Sequence, residues 1–457
     1  MWELRQEALT RTRARPRAPR EKMAPGAAAA SSSSSSSSSF STLELMHMRP
    51  AGTQRRGAMQ LACQKARLLC VSLAALVCLL VAVRWNFGRG RAEGNGIRIP
   101  TARFWHRRER SRSFWNKEQQ YLDFIHNPIA GSPPAAGSLA VWPHWLNDTG
   151  PTDPCQPDRR VAEQIADFAS LPQHFQDFLL HMRCRTYPML IDQPAVCAEE
   201  PFLLLAVKSP ITHFDRRQAI RETWGRAGAV ANRTVATVFL LGNAVPADFL
   251  PDLRGMLRHE AALHGDLLQW DYRDSFFNLT LKEVLFQEWF ARKCRRARFV
   301  LKGDDDVFIN TPQVLELLGG LEETKVKDFF IGDVISKAHP HRDRKLKYFV
   351  PESVFAGQYP PYAGGGGYLY SGKLALRLRG ASRRVVLYPI DDVYTGMCLA
   401  KLGLAPEDHA GFKTYNIDEK YRFSPCVYRS LMLVHSRTPR EMKRIWSWIS
   451  HPELVCP

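Results

Sequence analysis

From Phe202 onward, short apolar runs alternate with segments of helical spacing, and this alternation restricts the fold more than any other feature of the chain. Phe202–Val207 (FLLLAV), Ala236–Leu241 (ATVFLL), Leu267–Trp270 and Phe299–Lys302 have strand length and end at turn or charged residues. Between them, Asp215–Trp224, Leu253–His264 and Thr280–Arg292 read as helices. The last is expected to be amphipathic, with Leu281, Val284, Leu285, Phe286 and Trp289 on one broad apolar face. Strands that alternate with helices imply a largely parallel α/β sheet. Ligands of such sheets bind beyond the carboxyl ends of the strands.

At one such end stands Asp304-Asp305-Asp306, directly after Phe299–Gly303 and directly before Val307-Phe308. Three adjacent carboxylates repel one another, and on a free surface they would be an ordinary solvated turn. Apolar residues on both sides instead hold this turn at the edge of a core, where packed carboxylates need a cation or hydrogen-bond donors. Oxygen ligands suit Mg²⁺ or Mn²⁺, and such an ion can grip a diphosphate leaving group.

A second acidic pair, Asp391-Asp392, follows a strand-like stretch, Val385–Leu387. At the start of a helix such carboxylates act as caps. One of them could equally serve as a general base toward a hydroxyl. Tyr362–Tyr368 places four glycines, Gly364 to Gly367, between aromatics. It reads either as a flexible loop or as backbone that a ligand or another chain approaches closely. Gly367–Lys373 nearly fits a phosphate-binding loop, but Leu374 stands where a Ser or Thr must bind Mg²⁺, which excludes that reading.

The rest of the 457-residue chain sets the compartment. The net charge of +18 is concentrated near the N-terminus: residues 1–67 carry 12 Lys/Arg against 4 Asp/Glu, and residues 84–154 carry 10 against 6. Residues 1–67, with an unbroken serine run from Ser31 to Ser39, cannot bury enough apolar surface to fold and read as a disordered basic cytoplasmic tail. Leu68–Val83 is 16 uncharged residues, enough for a signal anchor in a thin early-secretory membrane. Residues 84–155 read as a stem, whose interspersed tryptophans, Trp115 among them, allow part of it to dock on the domain at 156–457. Equal basic charge on both sides of the apolar run leaves its orientation undecided. Sequons at Asn147, Asn232 and Asn278 favour a lumenal C-terminal side, as do seven later cysteines without metal-ligand spacing. Seven is odd, so one thiol is free or bridges chains. A lumenal domain would not meet nucleic acid, whatever the basic tail.

Five motifs, in order, resemble the β-1,3-glycosyltransferase family, and most closely its polylactosamine-synthesising N-acetylglucosaminyltransferases. They are Arg221–Gly225 (RETWG), Asp274–Glu283 (DSFFNLTLKE), Lys302–Val307 (KGDDDV), the glycine run at 362–368, and Ile390–Gly396 (IDDVYTG). The resemblance implies a GT-A-type nucleotide-sugar-binding fold with a mostly parallel central sheet, carried on one N-terminal transmembrane helix. It implies Golgi residence, Mn²⁺ or else Mg²⁺, a UDP-GlcNAc donor and a β-galactoside-terminated acceptor. Assembly with itself or with other glycosyltransferases stays open. Carried over by motif, Asp306 and His435 resemble the metal ligands and Asp392 the general base. Asp304 and Asp305 would face the ribose and the donor sugar, and Gly365 and Gly366 would lie against the donor. Arg216, Arg217 and Arg221 would meet the uridine diphosphate, the alternative being a solvated helix face partnered by Glu222. UDP-Gal as donor, or an inactive lumenal glycan-binding protein, are the competing readings.

Overall fold

A computed structural model of the chain describes residues 112–126 and 155–456. The basic tail, the apolar run at 68–83 and the sequon at Asn147 lie outside the described residues. Among those described, no helix is long and apolar enough to cross a membrane.

The alternating runs form one central sheet. In chain order its strands are β1 (Met189–Ile191), β2 (Leu203–Lys208), β3 (Gly228–Val230), β4 (Arg233–Asn243), β5 (Leu267–Arg273) and β6 (Phe299–Asp304). Beyond them, β7 (Phe308–Ile309) belongs to a small second sheet, while β8 (Phe330–Ile335), β9 (Tyr362–Ser371) and β10 (Glu407–Asp408) complete the first. β11 (Phe412–Lys413) and β12 (Leu433–Val434) join β7. The path through the main sheet is β1-β5-β4-β2-β6-β9-β8-β10, with β3 as a hairpin on β4. Pairing is parallel among β5, β4, β2 and β6, and antiparallel where β9 sits between β6 and β8.

Every residue of β2 is buried, which is why its sequence is a continuous apolar run rather than an alternating one. Its side chains alternate between two cores: Leu204 and Ala206 face one, while Leu203, Leu205 and Val207 face the other. Six helices matter for the site: α1 (Phe114–His126), α2 (Phe214–Glu222), α3 (Arg254–His264), α4 (Leu279–Lys293), α5 (Gly372–Ser382) and α6 (Asp391–Lys401).

Three expectations about local structure change. α4 is not amphipathic: Lys282 and Glu283 are as buried as Phe286, because the helix is packed on nearly every side. The glycine run is not a flexible loop but β9 itself, paired to both β6 and β8. The Val385–Leu387 stretch joins no strand; it is a buried irregular segment between α5 and α6.

Three disulfides, Cys155–Cys184, Cys197–Cys294 and Cys426–Cys456, account for six of the seven late cysteines. The odd thiol is Cys398, buried in α6, where burial pushes it well above the usual thiol range. Of the two described sequons, Asn232 stands on the exposed β3–β4 hairpin turn, and Asn278 is partly buried at the start of α4.

Candidate active site

The acidic triplet begins on the last residue of β6 and turns sharply into β7. The turn splits the three carboxylates. Asp304 points sideways to Lys208 on the neighbouring parallel strand, which is its register partner, with Nζ 3.0 Å from Asp304 Oδ1. Asp305 is fully buried beneath the turn, where Oδ2 accepts hydrogen bonds from Ser209 Oγ at 2.7 Å and His213 Nδ1 at 2.8 Å. Asp306 lies beside His435, with Nε2 3.1 Å from Oδ1.

His435 arrives through the second sheet. β7 pairs antiparallel with β12, setting Phe308 opposite Val434, and the residue directly after β12 is His435. Its backbone N–H is held by Lys413 O at 3.0 Å, and the Arg437 N–H is held by Asp306 O at 2.7 Å. One donor atom each from Asp304, Asp306 and His435 come within 4.8 Å of one another. Two carboxylates and an imidazole, all largely buried, form a donor set that fits a divalent ion such as Mn²⁺. Of the two residues expected to face the ribose and the donor sugar, Asp304 stands within this candidate metal-binding group and Asp305 is hydrogen-bonded to Ser209 and His213.

Across β9 from this cluster stands the second acidic pair. Both residues occupy the first turn of α6, where the helix dipole favours negative charge. Asp391 is bound by Lys208 at 2.8 Å, so this one ammonium bridges both acidic clusters, and it also donates to Gly365 O at 3.1 Å. Burial alone would raise the Asp391 carboxyl, but Lys208 at contact and Lys302 nearby override it and hold it below the ordinary value. Burial lowers the Lys208 ammonium, yet the two carboxylates outweigh that and raise it.

Asp392 is in the opposite position. Burial and the charge of Asp391 push its carboxyl up to about 7, although the Val393 and Gly365 N–H groups donate to it at 2.7 and 3.1 Å. Two adjacent carboxylates with environments that separate their titration are the arrangement by which a site keeps one ionised partner and one working base.

β9 can lie between these groups only because its centre, Gly364 to Gly367, lacks side chains. A Cβ on Gly364 would stand 2.3 Å from Thr414 Oγ1, and one on Gly367 would stand 2.3 Å from Leu433 Cδ1. A Cβ on Gly365 or Gly366 would meet Asp392 Oδ2 at 3.3 Å or His435 Cγ at 3.4 Å, a tight contact rather than a clash, so close neighbours of the glycine run include the protein's own site residues.

The three arginines expected near a diphosphate separate. Arg216 Nη1 makes no hydrogen bond and lies 3.9 Å from Asp305 Oδ1 and 4.0 Å from Asp306 Oδ2, at the mouth of the acidic turn. Arg217 is fully buried and donates to Glu260, to Ser209 Oγ and to the carbonyls of Pro210 and Ile211. Arg221 is paired with Asp266 at 2.7 Å and Glu260 at 2.8 Å. Arg217 and Arg221 are therefore struts between α2 and α3, neither open to a diphosphate nor a solvated face. The residue missed from sequence is Lys208; its trace was a cation at the end of a wholly apolar run, where a parallel neighbour ends in carboxylates.

A model of the galactosyltransferase family matches residues 215–410, from the start of α2 to just past β10. The chain is 52% identical over 396 residues to mouse N-acetyllactosaminide beta-1,3-N-acetylglucosaminyltransferase 2, covering 86% of this chain and 99% of the relative. The human protein of that name is 53% identical over 80% of this chain and 92% of its own length. Human N-acetyllactosaminide beta-1,3-N-acetylglucosaminyltransferase 4 is 44% identical, over 71% and 84%.

Proposed function

This chain belongs to the galactosyltransferase family, and we propose that it transfers N-acetylglucosamine from UDP-GlcNAc to the 3-hydroxyl of a terminal β-galactose, extending poly-N-acetyllactosamine, with inversion at the anomeric carbon. The relatives named for this reaction support it, each more than 40% identical over most of the chain. The structural observation that carries the mechanism is Asp392, a carboxylate of raised basicity set across the glycine strand from the Asp304–Asp306–His435 cluster.

Asp306, His435 and Asp304 would hold a divalent ion, Mn²⁺ by the chemistry of its donors. Such an ion supplies positive charge against the diphosphate as it leaves. Arg216, with its unused Nη1, adds a second cation on the same side. The protein side of the step falls to Asp392, which takes the proton of the acceptor 3-hydroxyl. That oxygen forms its bond to C1 of the donor sugar as the C1–O bond to UDP breaks, the electron pair leaving with UDP. Lys208 keeps Asp391 ionised, and that charge keeps the neighbouring base strong.

The fold supports a GT-A-type reading, with the nucleotide at the carboxyl ends of the parallel strands. We further propose that residues 1–67 are cytoplasmic, 68–83 anchor the chain in the Golgi membrane, 84–155 form the stem, and the domain from 156 is lumenal. The paired cysteines are in keeping with that compartment.

Asp392→Asn tests the mechanism. Loss of a general base costs about 10²–10⁴-fold in rate, so transfer to a lactosamine acceptor should fall by that factor while UDP binding persists. Near-normal transfer by the folded variant would rule the base out. Running UDP-GlcNAc and UDP-Gal side by side separates the proposed donor from its rival.

A further inference from the structure

The irregular segment that delivers Asp392 raises a question of backbone bookkeeping. A buried stretch without a strand ladder must satisfy its N–H and C=O groups by other means. Between Arg384 and Tyr388 the partners come largely from α1, more than 260 residues earlier in the chain. Gln119 Nε2 donates to Arg384 O at 2.9 Å, and Gln119 Oε1 accepts from the Val386 N–H at 2.8 Å. The Trp115 indole N–H is shared between Val386 O at 3.2 Å and Leu387 O at 3.1 Å. Trp115 is completely buried, and its ring meets Phe355 and Tyr388 edge-on, with centroids 5.4 and 5.9 Å away.

The opposite side of the segment is closed by Arg185, which donates to Ser382 O and Val385 O at 2.8 and 2.6 Å, and by Thr280 Oγ1, which donates to Tyr388 O at 2.6 Å. Three residues after Tyr388 the chain enters α6 at Asp391. The start of α6, and with it the aim of the Asp392 carboxylate, is thus set by a helix from the region expected to be stem. α1 is tied to the domain elsewhere as well: the Phe114 and Trp115 N–H groups donate to Ser353 O and Val354 O, both at 2.8 Å.

We propose that Trp115 and Gln119 are positioning residues for the transfer reaction, holding the 384–388 backbone so that Asp392 is presented to the acceptor hydroxyl. This rests on Asp392 being the base, and Asp392→Asn run in parallel tests that premise separately. The informative variants of the full chain are Trp115→Phe, which keeps an aromatic ring but loses the shared N–H, and Gln119→Leu, which at similar volume loses the side-chain hydrogen bonds to Arg384 and Val386, together with one to Asp123 within α1. Each is measured for kcat and KM toward a lactosamine acceptor, for UDP affinity by calorimetry, and for thermal unfolding.

The expected result is a kcat at least tenfold lower, with UDP affinity within twofold of wild type and a cooperative melt. A kcat within twofold of wild type in both folded variants would overturn the proposal. So would a parallel fall of kcat and UDP affinity, which would mark α1 as a general stabiliser of the domain. Should either variant fail to fold, the other carries the test, and Trp115→His, which keeps a ring N–H, offers recovery of kcat relative to Trp115→Phe as the deciding reading. If Asp392→Asn keeps its activity, the base assignment fails, and a kcat loss at Trp115 would then no longer count as support.

Discussion

Replacing Lys208 by methionine removes the one cation shared by the two acidic clusters, and the structure sets the size of the effect. The Lys208 side chain is 5% exposed, and its partners Asp304 and Asp391 are 8% and 9% exposed. Breaking a buried ion pair by removing one member costs about 3–5 kcal/mol, because the other charge stays buried without compensation. Here two carboxylates lose the same partner, so the upper part of that range applies. At roughly 2 °C per kcal/mol for a domain of this size, melting should fall by about 8–10 °C.

The pH dependence of that deficit follows from the directions of the shifts. The Lys208 ammonium is raised in the folded protein, so its contribution is complete below its ordinary 10.5 and is lost only as pH rises through the folded value. The Asp391 carboxyl is depressed, so its contribution is present above its ordinary 3.8 and is lost as pH falls through the folded value. Both partners are charged at pH 7.5, where the variant should be weakest. Without Lys208 the burial of Asp391 is no longer opposed at contact, so toward pH 5 its carboxyl takes up a proton more readily, and the deficit should shrink. Equilibrium urea unfolding at pH 7.5 and 5.0, with wild type alongside, measures this. Lys208→Met/Asp391→Asn should recover part of the loss. A deficit below about 1 kcal/mol, or one equal at both pH values, would refute the bridging role, since breaking a buried pair should cost several times that.

Further predictions follow from the same geometry. Arg216→Ala should weaken UDP binding about tenfold with little change in melting, since its Nη1 makes no protein hydrogen bond, whereas Arg217→Ala should lower stability by about 3–5 kcal/mol by leaving Glu260 half-paired in the core; calorimetric titration and urea unfolding on both variants check the division. Gly364→Ala should destabilise the protein and depress transfer together, because a Cβ there lies 2.3 Å from the Thr414 hydroxyl; Gly364→Ala/Thr414→Ser, which makes less room than full removal, should recover less of the melting temperature than Gly364→Ala/Thr414→Gly. For the base, kcat/KM should fall about tenfold per pH unit below about 7, the value to which burial and Asp391 raise Asp392, and should level off above it; a flat profile between pH 5.5 and 8 would contradict the assignment.

Much of the fold was readable from local pattern. β2, β4, β5 and β6 lie where apolar runs of strand length predict strands, because full burial on both faces leaves a continuous apolar signature. The misread stretches have a common cause. β9 consists of glycines at its centre, residues with weak strand preference, and pairing on both sides together with the closeness of Thr414 and Leu433 decided its conformation. Val385–Leu387 has strand-like composition but no ladder, because Trp115 and Gln119 meet its backbone groups first. α4 carries Lys282 and Glu283 where a solvent face is expected; Lys282 is instead paired with Asp274, and Glu283 with Lys302.

The sequence by itself determined the strand–helix alternation, the place of the acidic turn at a strand end, the acidic start of α6 and the family to which these motifs belong. These are local properties, carried by residues adjacent in the chain. Only the tertiary structure decided how the parts combine. The pairing of β7 with β12 brings His435 to Asp306. The parallel register of β2 and β6 sets Lys208 beside Asp304, from where it reaches Asp391 as well. The burial of Arg217 and Arg221 against Glu260 and Asp266 commits their guanidinium groups there and leaves Arg216 beside Asp305 and Asp306. Each of these depends on strand register or helix packing between segments far apart in sequence, and no spacing along the chain encodes such a distance.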